Sequence, residues 1–181
     1  MCVDEFLHYA GRANGSVHLL VPGKLVFFCS PEDLGAAPDQ PGWIDDTNST
    51  GALTRRFGPG YYADLFQEMG VAVVASLTSS DFCPAAFDAR GIEVVDLHLG
   101  CAAVHSGAPP LMQAMDQLVC LSRAVGDGLV AVHSGEAMVW PDYLGNVVSA
   151  YLIHVARFSP RGAVAWVLLF CPWMFQDGVA E

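Results

Sequence analysis

The chain has 181 residues, 53% hydrophobic and 15% charged, with 8 Lys plus Arg against 19 Asp plus Glu and a formal net charge of −11. An ordinary domain carries about 25% charged residues, so this surface is short of charge, while the apolar fraction excludes a disordered chain. Lys24 is the sole lysine, so the chain cannot neutralise a long run of phosphates; neither nucleic acid nor an anionic membrane surface is expected as a partner.

The first residues, Met1 to Arg12, place Asp4 and Glu5 ahead of any basic residue. That pattern fits neither a secretory signal nor a transit peptide. Residues 1–16 read as an N-terminal extension and 17–181 as one domain, long enough to bury a sizeable core. Val17–Val21 and Leu25–Cys29 are apolar runs split by Pro22-Gly23 and predict two strands around a turn. Ser30 to Gly60 is rich in Pro, Gly, Asp, Thr and Ser without a sustained period, so the 30–60 stretch is expected to be a long loop. Tyr61–Met69 has helical spacing at Tyr62, Leu65, Phe66 and Met69, with Gly70 as its stop. Val71–Leu77 is a nearly continuous apolar run, the pattern of a strand buried on both faces.

Ser80-Asp81 can cap a short helix carrying Phe82, Ala86 and Phe87 and ended by Gly91. Ile92–Leu97 reads as a strand and His98–Pro110 as a loop. Leu111–Val125 predicts the clearest helix, closed by Gly126-Asp127-Gly128. Leu129–Val132 is a strand, followed by the polar segment His133–Gly145. Asn146–Arg157 and Arg161–Phe170 read as two final helices parted by Ser159-Pro160. The longest unbroken apolar run, Ala163–Cys171, ends at Pro172, well below the roughly 20 residues of a membrane-spanning helix. Alternating strands and helices imply a mixed or parallel sheet flanked by helices, an α/β fold.

Six cysteines, Cys2, Cys29, Cys83, Cys101, Cys120 and Cys171, include no CxxC clip. They are expected as free thiols in a reducing compartment. In α/β sheets ligands gather at the C-terminal strand ends. The strand Leu129–Val132 leads straight into His133-Ser134-Gly135 and then a helix, the arrangement of a loop that offers backbone N–H groups to an anion.

The order of these pieces resembles the catalytic domain of the cell-division-cycle-fourteen (mitotic-exit) dual-specificity phosphatases. The resemblance rests on Val21-Pro22-Gly23-Lys24-Leu25, on Tyr61–Leu77, on Phe87–Leu97 and on Val130-Ala131-Val132-His133. It continues through Ser149–Ile153, Ala163–Val167 and Cys171-Pro172. It implies a dual-specificity-phosphatase-like central sheet flanked by helices. It also implies three chemical groups: a thiolate nucleophile after the histidine, an arginine six residues on, and an aspartate on an upstream loop. Ser134 stands at the nucleophile position and Trp140 at the arginine position, or Tyr143 if the loop is lengthened by three. Cys101 falls near the acid position. No Arg or Lys occurs between Arg123 and Arg157, whereas Glu136 and Asp142 do. Like charges in a confined site repel by roughly 1 kcal/mol or more.

The expectation is therefore a pseudophosphatase with no catalytic residues. Its degenerate phosphate-loop positions are His133, Ser134, Gly135, Glu136, Trp140, Asp142, Tyr143 and Gly145, and its degenerate acid-loop position is Cys101. Such a domain would serve as a structural, protein-interaction subunit of a larger assembly. The resemblance implies a cytoplasmic setting, in the cytoskeleton or a ciliary axoneme.

Two alternatives are a phosphopeptide-binding module drawing a cation from Arg55-Arg56, and a serine hydrolase using Ser134 with a base such as His105. The local pattern Val132-His133-Ser134-Gly135-Glu136 lacks the first glycine of a nucleophile elbow. Trp140-Pro141-Asp142 spells the acid-loop tripeptide of classical tyrosine phosphatases. It follows the nucleophile position instead of preceding it and reads better as a Pro-turn with Asp142 capping the last helix. No cofactor is expected. Nor is a metal, since His98, Cys101, His105 and His133 match no common ligand spacing.

Overall fold

The computed structural model describes residues 3–35, 42–47, 51, 53–77, 82–97, 111–133 and 141–171. Helix α1 (Val3–Ala10) and a 3-10 turn (Arg12–Asn14) lead into β1 (His18–Val21) and β2 (Leu25–Phe27). Then come β3 (Trp43–Thr47), β4 (Leu53–Phe57), α2 (Pro59–Met69) and β5 (Val71–Ser76). Helix α3 (Ala85–Asp88), β6 (Glu93–Asp96), α4 (Leu111–Ala124) and β7 (Leu129–His133) follow, and α5 (Pro141–His154) and α6 (Pro160–Phe170) complete the order.

Five strands form one sheet in the order β1-β2-β7-β5-β6. β1 runs antiparallel to β2, and every other pair is parallel. The sheet is mixed and helices cover both faces, as the alternation of elements predicts. Strand alternation divides the core in two. Leu25, Phe27, Val130 and Val132 pack with Leu118, Val147, Tyr151 and Val167 on the face of α4, α5 and α6. Val26, Phe28, Leu129 and Ala131 pack with Tyr62, Phe66 and Phe87 on the face of α2 and α3. β7 lies at the centre of the sheet and is buried along its whole length. Successive residues of such a strand meet opposite helix layers, so it must be apolar on both sides. In β5 the register slips between Val71 and Val73. Val71 and Val74, three apart, therefore share one core.

The sequence boundaries hold to within a few residues for β1, β2, α2, β5, β6, α4, β7 and α6. Gly70 closes α2 in the left-handed conformation at φ 77°, donating back to the Gln67 carbonyl, a geometry that favours glycine. Ser159 caps α6, accepting from the Gly162 N–H at 3.1 Å.

Three expectations are corrected. The stretch 30–60 is not all loop: Trp43–Thr47 and Leu53–Phe57 pair as an antiparallel hairpin, with Asp45 opposite Arg55 and Asp46 opposite Thr54. Beyond the Trp43–Phe57 pair, each cross-strand pair contains at least one charged or polar residue, so no hydrophobic alternation marks it. The short helix begins after Pro84 rather than at Ser80-Asp81; Ser80 and Asp81 lie outside the described residues. The first of the two final helices starts at Pro141, not Asn146. Proline suits the first helical position because its missing N–H has no intrahelical partner there. Residues 3–16 are tied to the body of the domain. Val17 N–H donates to the Tyr9 carbonyl at 2.7 Å, and the Tyr61 and Tyr62 hydroxyls donate to the Asn14 and Gly15 carbonyls at 2.9 and 3.0 Å.

Candidate functional site

β7 carries the candidate site. Its neighbours hold its end firmly: the Phe28 N–H donates to the Val132 carbonyl at 3.2 Å and the Leu77 N–H to the His133 carbonyl at 2.9 Å. His133, the last residue of the strand, is 0% exposed. Its ring sits between Phe28 and Phe82, with centroids at 5.1 and 5.4 Å. Nδ1 shares a 2.7 Å hydrogen bond with the Ser30 hydroxyl, while Nε2 has no hydrogen-bond partner among the described residues. Burial pushes the imidazole pKa down to about 4, and the nearby Asp96 opposes the shift. At neutral pH the ring is uncharged. It orders the strand end but supplies no positive charge to it.

Ser30 was not singled out by sequence reasoning. Its signal is the parallel register that sets Phe27 beside Val132, so the residues that follow β2 reach the end of β7.

Of the positions expected in a degenerate phosphate loop, Ser134, Gly135, Glu136 and Trp140 lie outside the described residues, as do Cys101, His98 and His105. Asp142, Tyr143 and Gly145 belong to the first turns of α5 rather than to a loop. That placement leaves residues 134–140 between strand and helix. Tyr143, the alternative at the arginine position, has helical backbone in the first turn of α5. Pro141 and Asp142 are the first two residues of α5, so Asp142 lies within this penultimate helix instead of capping the last one.

The cations can all be placed. Arg55 grips Asp45 with two hydrogen bonds of 2.6 and 3.0 Å. Arg56 meets Glu32 at 3.1 Å and Asp46 at 3.6 Å. Arg90 donates to Asp64 at 2.7 Å, and Lys24 donates to the Gly126 carbonyl at 2.6 Å. Arg123 ends α4 ahead of the start of β7, at the opposite end of the strand from His133. Arg157 and Arg161 follow α5, whose 14 residues carry the chain about 20 Å along the helix axis. Arg12 is the exception. It precedes β1, whose His18 pairs with Phe27 at the site end of the sheet, and it has no carboxylate partner among the described residues. Its charge acts on Cys29, the neighbour of Ser30, lowering a thiol pKa that burial raises more strongly.

Among the described residues no three His, Cys, Asp or Glu side chains stand together as metal ligands. No described helix is long and apolar enough to cross a membrane.

No protein-family model matches the chain. It is 20% identical over 170 residues to the dual specificity protein phosphatase CDC14C of Homo sapiens, covering 94% of this chain and 33% of that one. The same protein of Symphalangus syndactylus matches at 20% identity, over 94% of this chain and 31% of the relative. The chain thus spans about a third of the length of these curated relatives. Among solved structures, Tk-PTP in the active form superposes with a TM-score of 0.52 at 16% identity, covering 87% of this chain and 85% of that one. The kinase associated phosphatase with its catalytic-site cysteine substituted by serine superposes with a TM-score of 0.53 at 11% identity, covering 93% and 89%. The described strand order, the buried strand ending at His133 and these superpositions agree: this is a phosphatase-like α/β domain with the fold of the protein tyrosine and dual-specificity phosphatases.

Proposed function

We propose that the domain is a pseudophosphatase: a degenerate relative of the mitotic-exit dual-specificity phosphatases that keeps the fold, has lost hydrolysis, and serves as a protein-interaction subunit of a larger assembly. One observation carries the reading. The strand that would deliver a thiolate delivers Ser134, and no lysine or arginine follows before Arg157. A serine hydroxyl needs an adjacent base, and His133 is a poor one, being buried, hydrogen-bonded to Ser30 and depressed to a pKa of about 4. The segment that follows carries Glu136 and no arginine to clamp a phosphate dianion. In the solved kinase associated phosphatase a serine was substituted for the catalytic cysteine; here serine is the residue the sequence carries at the position the resemblance assigns to that cysteine.

The interaction role draws support from α6, which leaves Val164, Leu168 and Leu169 exposed at 38%, 40% and 72%. An apolar stripe of this kind favours a covering partner. By resemblance the setting is cytoplasmic, in a cytoskeletal or ciliary assembly. Release of phosphate from an aryl phosphate and from a phosphotyrosine peptide tests the loss of hydrolysis. The expected rate is that of buffer, and turnover abolished by Ser134→Ala would overturn the proposal.

A second reading, a phosphopeptide-binding module, is favoured by one residue, Arg12. Arg55 and Arg56 are engaged by carboxylates, which leaves Arg12 as the cation at the site end of the sheet. Saturable phosphopeptide binding lost in Arg12→Ala would support that reading over the first.

A further inference from the structure

Away from the end of β7, a cavity of about 340 Å³ opens between α1, the hairpin and α2, lined by Tyr9, Trp43, Tyr61, Asp64, Glu68 and Arg90 among others. Its walls are aromatic and rigidly set. Trp43 and Tyr61 meet edge to face at 6.1 Å, Tyr61 leans on Phe57 at 4.5 Å, and the Tyr61 hydroxyl is fixed to the Asn14 carbonyl. Gly42 at the mouth lies so close to α2 that a Cβ there would meet the Tyr61 nitrogen at 2.8 Å; a side chain at that position would force the walls apart.

The charges of this cavity are unequally occupied. Arg90 spends its guanidinium on Asp64 and on the Ala86 carbonyl, at 2.7 and 2.8 Å. Asp64 is thereby neutralised. Glu68, one turn further along α2, is exposed and has no partner among the described residues. The cavity therefore presents π-faces and one uncompensated carboxylate, in a chain of net charge −11. An anion finds no open donor there, whereas a flat cation finds both parts of its binding site. The molecule already shows the affinity of the wall: Arg55 stacks over the Trp43 ring with its guanidinium carbon 5.3 Å from the centroid. The volume is at the low end for a ligand pocket, about 300–1,000 Å³, which suits one long side chain rather than a folded element.

We propose that this cavity receives an arginine side chain from a basic segment of a partner protein, stacked against Trp43 and Tyr61 and paired with Glu68. The site is separate from the end of β7 and stands whether or not that end hydrolyses phosphate. The probe is acetyl-Gly-Arg-Gly-amide titrated into the full chain, with its uncharged citrulline counterpart as control, followed by the NMR signal of the Trp43 indole N–H. The arginine peptide is expected to shift that signal saturably and the citrulline peptide to leave it in place. Glu68→Gln weakens binding roughly 3- to 5-fold, and Trp43→Ala weakens it by about 10-fold, read on other cavity signals. Glu68→Lys abolishes it, and Glu93→Gln on β6 leaves it unchanged. Both Glu68 variants alter an exposed side chain, so the test does not depend on Trp43→Ala folding. Equal response to citrulline, no saturable response to arginine, or indifference to both Glu68 substitutions would overturn the proposal.

Discussion

The end of β7 and the β3–β4 hairpin handle polar groups in opposite ways. At His133 a single imidazole is sunk between two phenylalanine rings, held by one serine hydroxyl and kept neutral. On the hairpin, Arg55 and Arg56 face Asp45, Asp46 and Glu32 in the open, as a lattice of ion pairs. Phosphate chemistry wants the reverse, with cations gathered where the central strand ends. The contrast teaches where stability and charge have each been placed. Burial makes the β7 end expensive to disturb and keeps its histidine uncharged, whereas solvent screens the hairpin charges and makes each of them cheap to remove.

Substitutions should reproduce this asymmetry. The largest effect is expected at His133→Ala, which empties a fully buried site between Phe28 and Phe82; a loss of about 3 kcal/mol in denaturant unfolding follows from cavity formation. A wild-type-like midpoint for that variant would mean the strand end is not packed as described.

The pH dependence comes next. His133 and His18 both titrate near 4 in the fold, depressed by burial from 6.5. Between those values the unfolded chain binds the proton and the folded chain does not. Stability therefore stands in full above about pH 6.5 and drains away as the pH falls toward 4, by roughly 3 kcal/mol for each histidine. Thermal unfolding followed across that window tests the sign directly. His133→Asn should flatten part of the slope, and an unchanged slope would assign it to other groups.

Ser30→Ala removes the hydroxyl that meets Nδ1 and should cost about 1 kcal/mol, with the His133 ring signals shifting in NMR. The smallest effect is expected on the hairpin. Arg56→Ala severs two exposed contacts and should leave the unfolding midpoint within error. A cost as large as that of His133→Ala would erase the contrast on which this account rests.

How far the sequence reveals all this depends on what each element buries. β5 and β7 are legible as apolar runs because both of their faces meet helices. Gly70 marks its helix end because the left-handed turn there favours glycine. The hairpin escapes reading because Asp45-Arg55 and Asp46-Thr54 pairs imitate loop composition. The start of α5 escapes because Pro141 looks like a breaker and acts as a first helical residue. At the site, His133 is legible as the end of a buried strand. Its partner Ser30 is not, since only the register of β2 against β7 brings residues so far apart in sequence together. The aromatic cavity has no sequence signature at all: Tyr9, Trp43, Tyr61 and Glu68 meet through the packing of three elements.

The central proposal is electrostatic: we propose that the β7 end holds no phosphate because no lysine or arginine follows it in the chain before Arg157. Calorimetric titration of inorganic phosphate into the wild-type chain and into Trp140→Arg tests it most directly. The account predicts no saturable heat for the wild type and saturable binding once the arginine is restored. Saturable binding of phosphate by the wild-type chain, lost on substitution within residues 134–140, would contradict it.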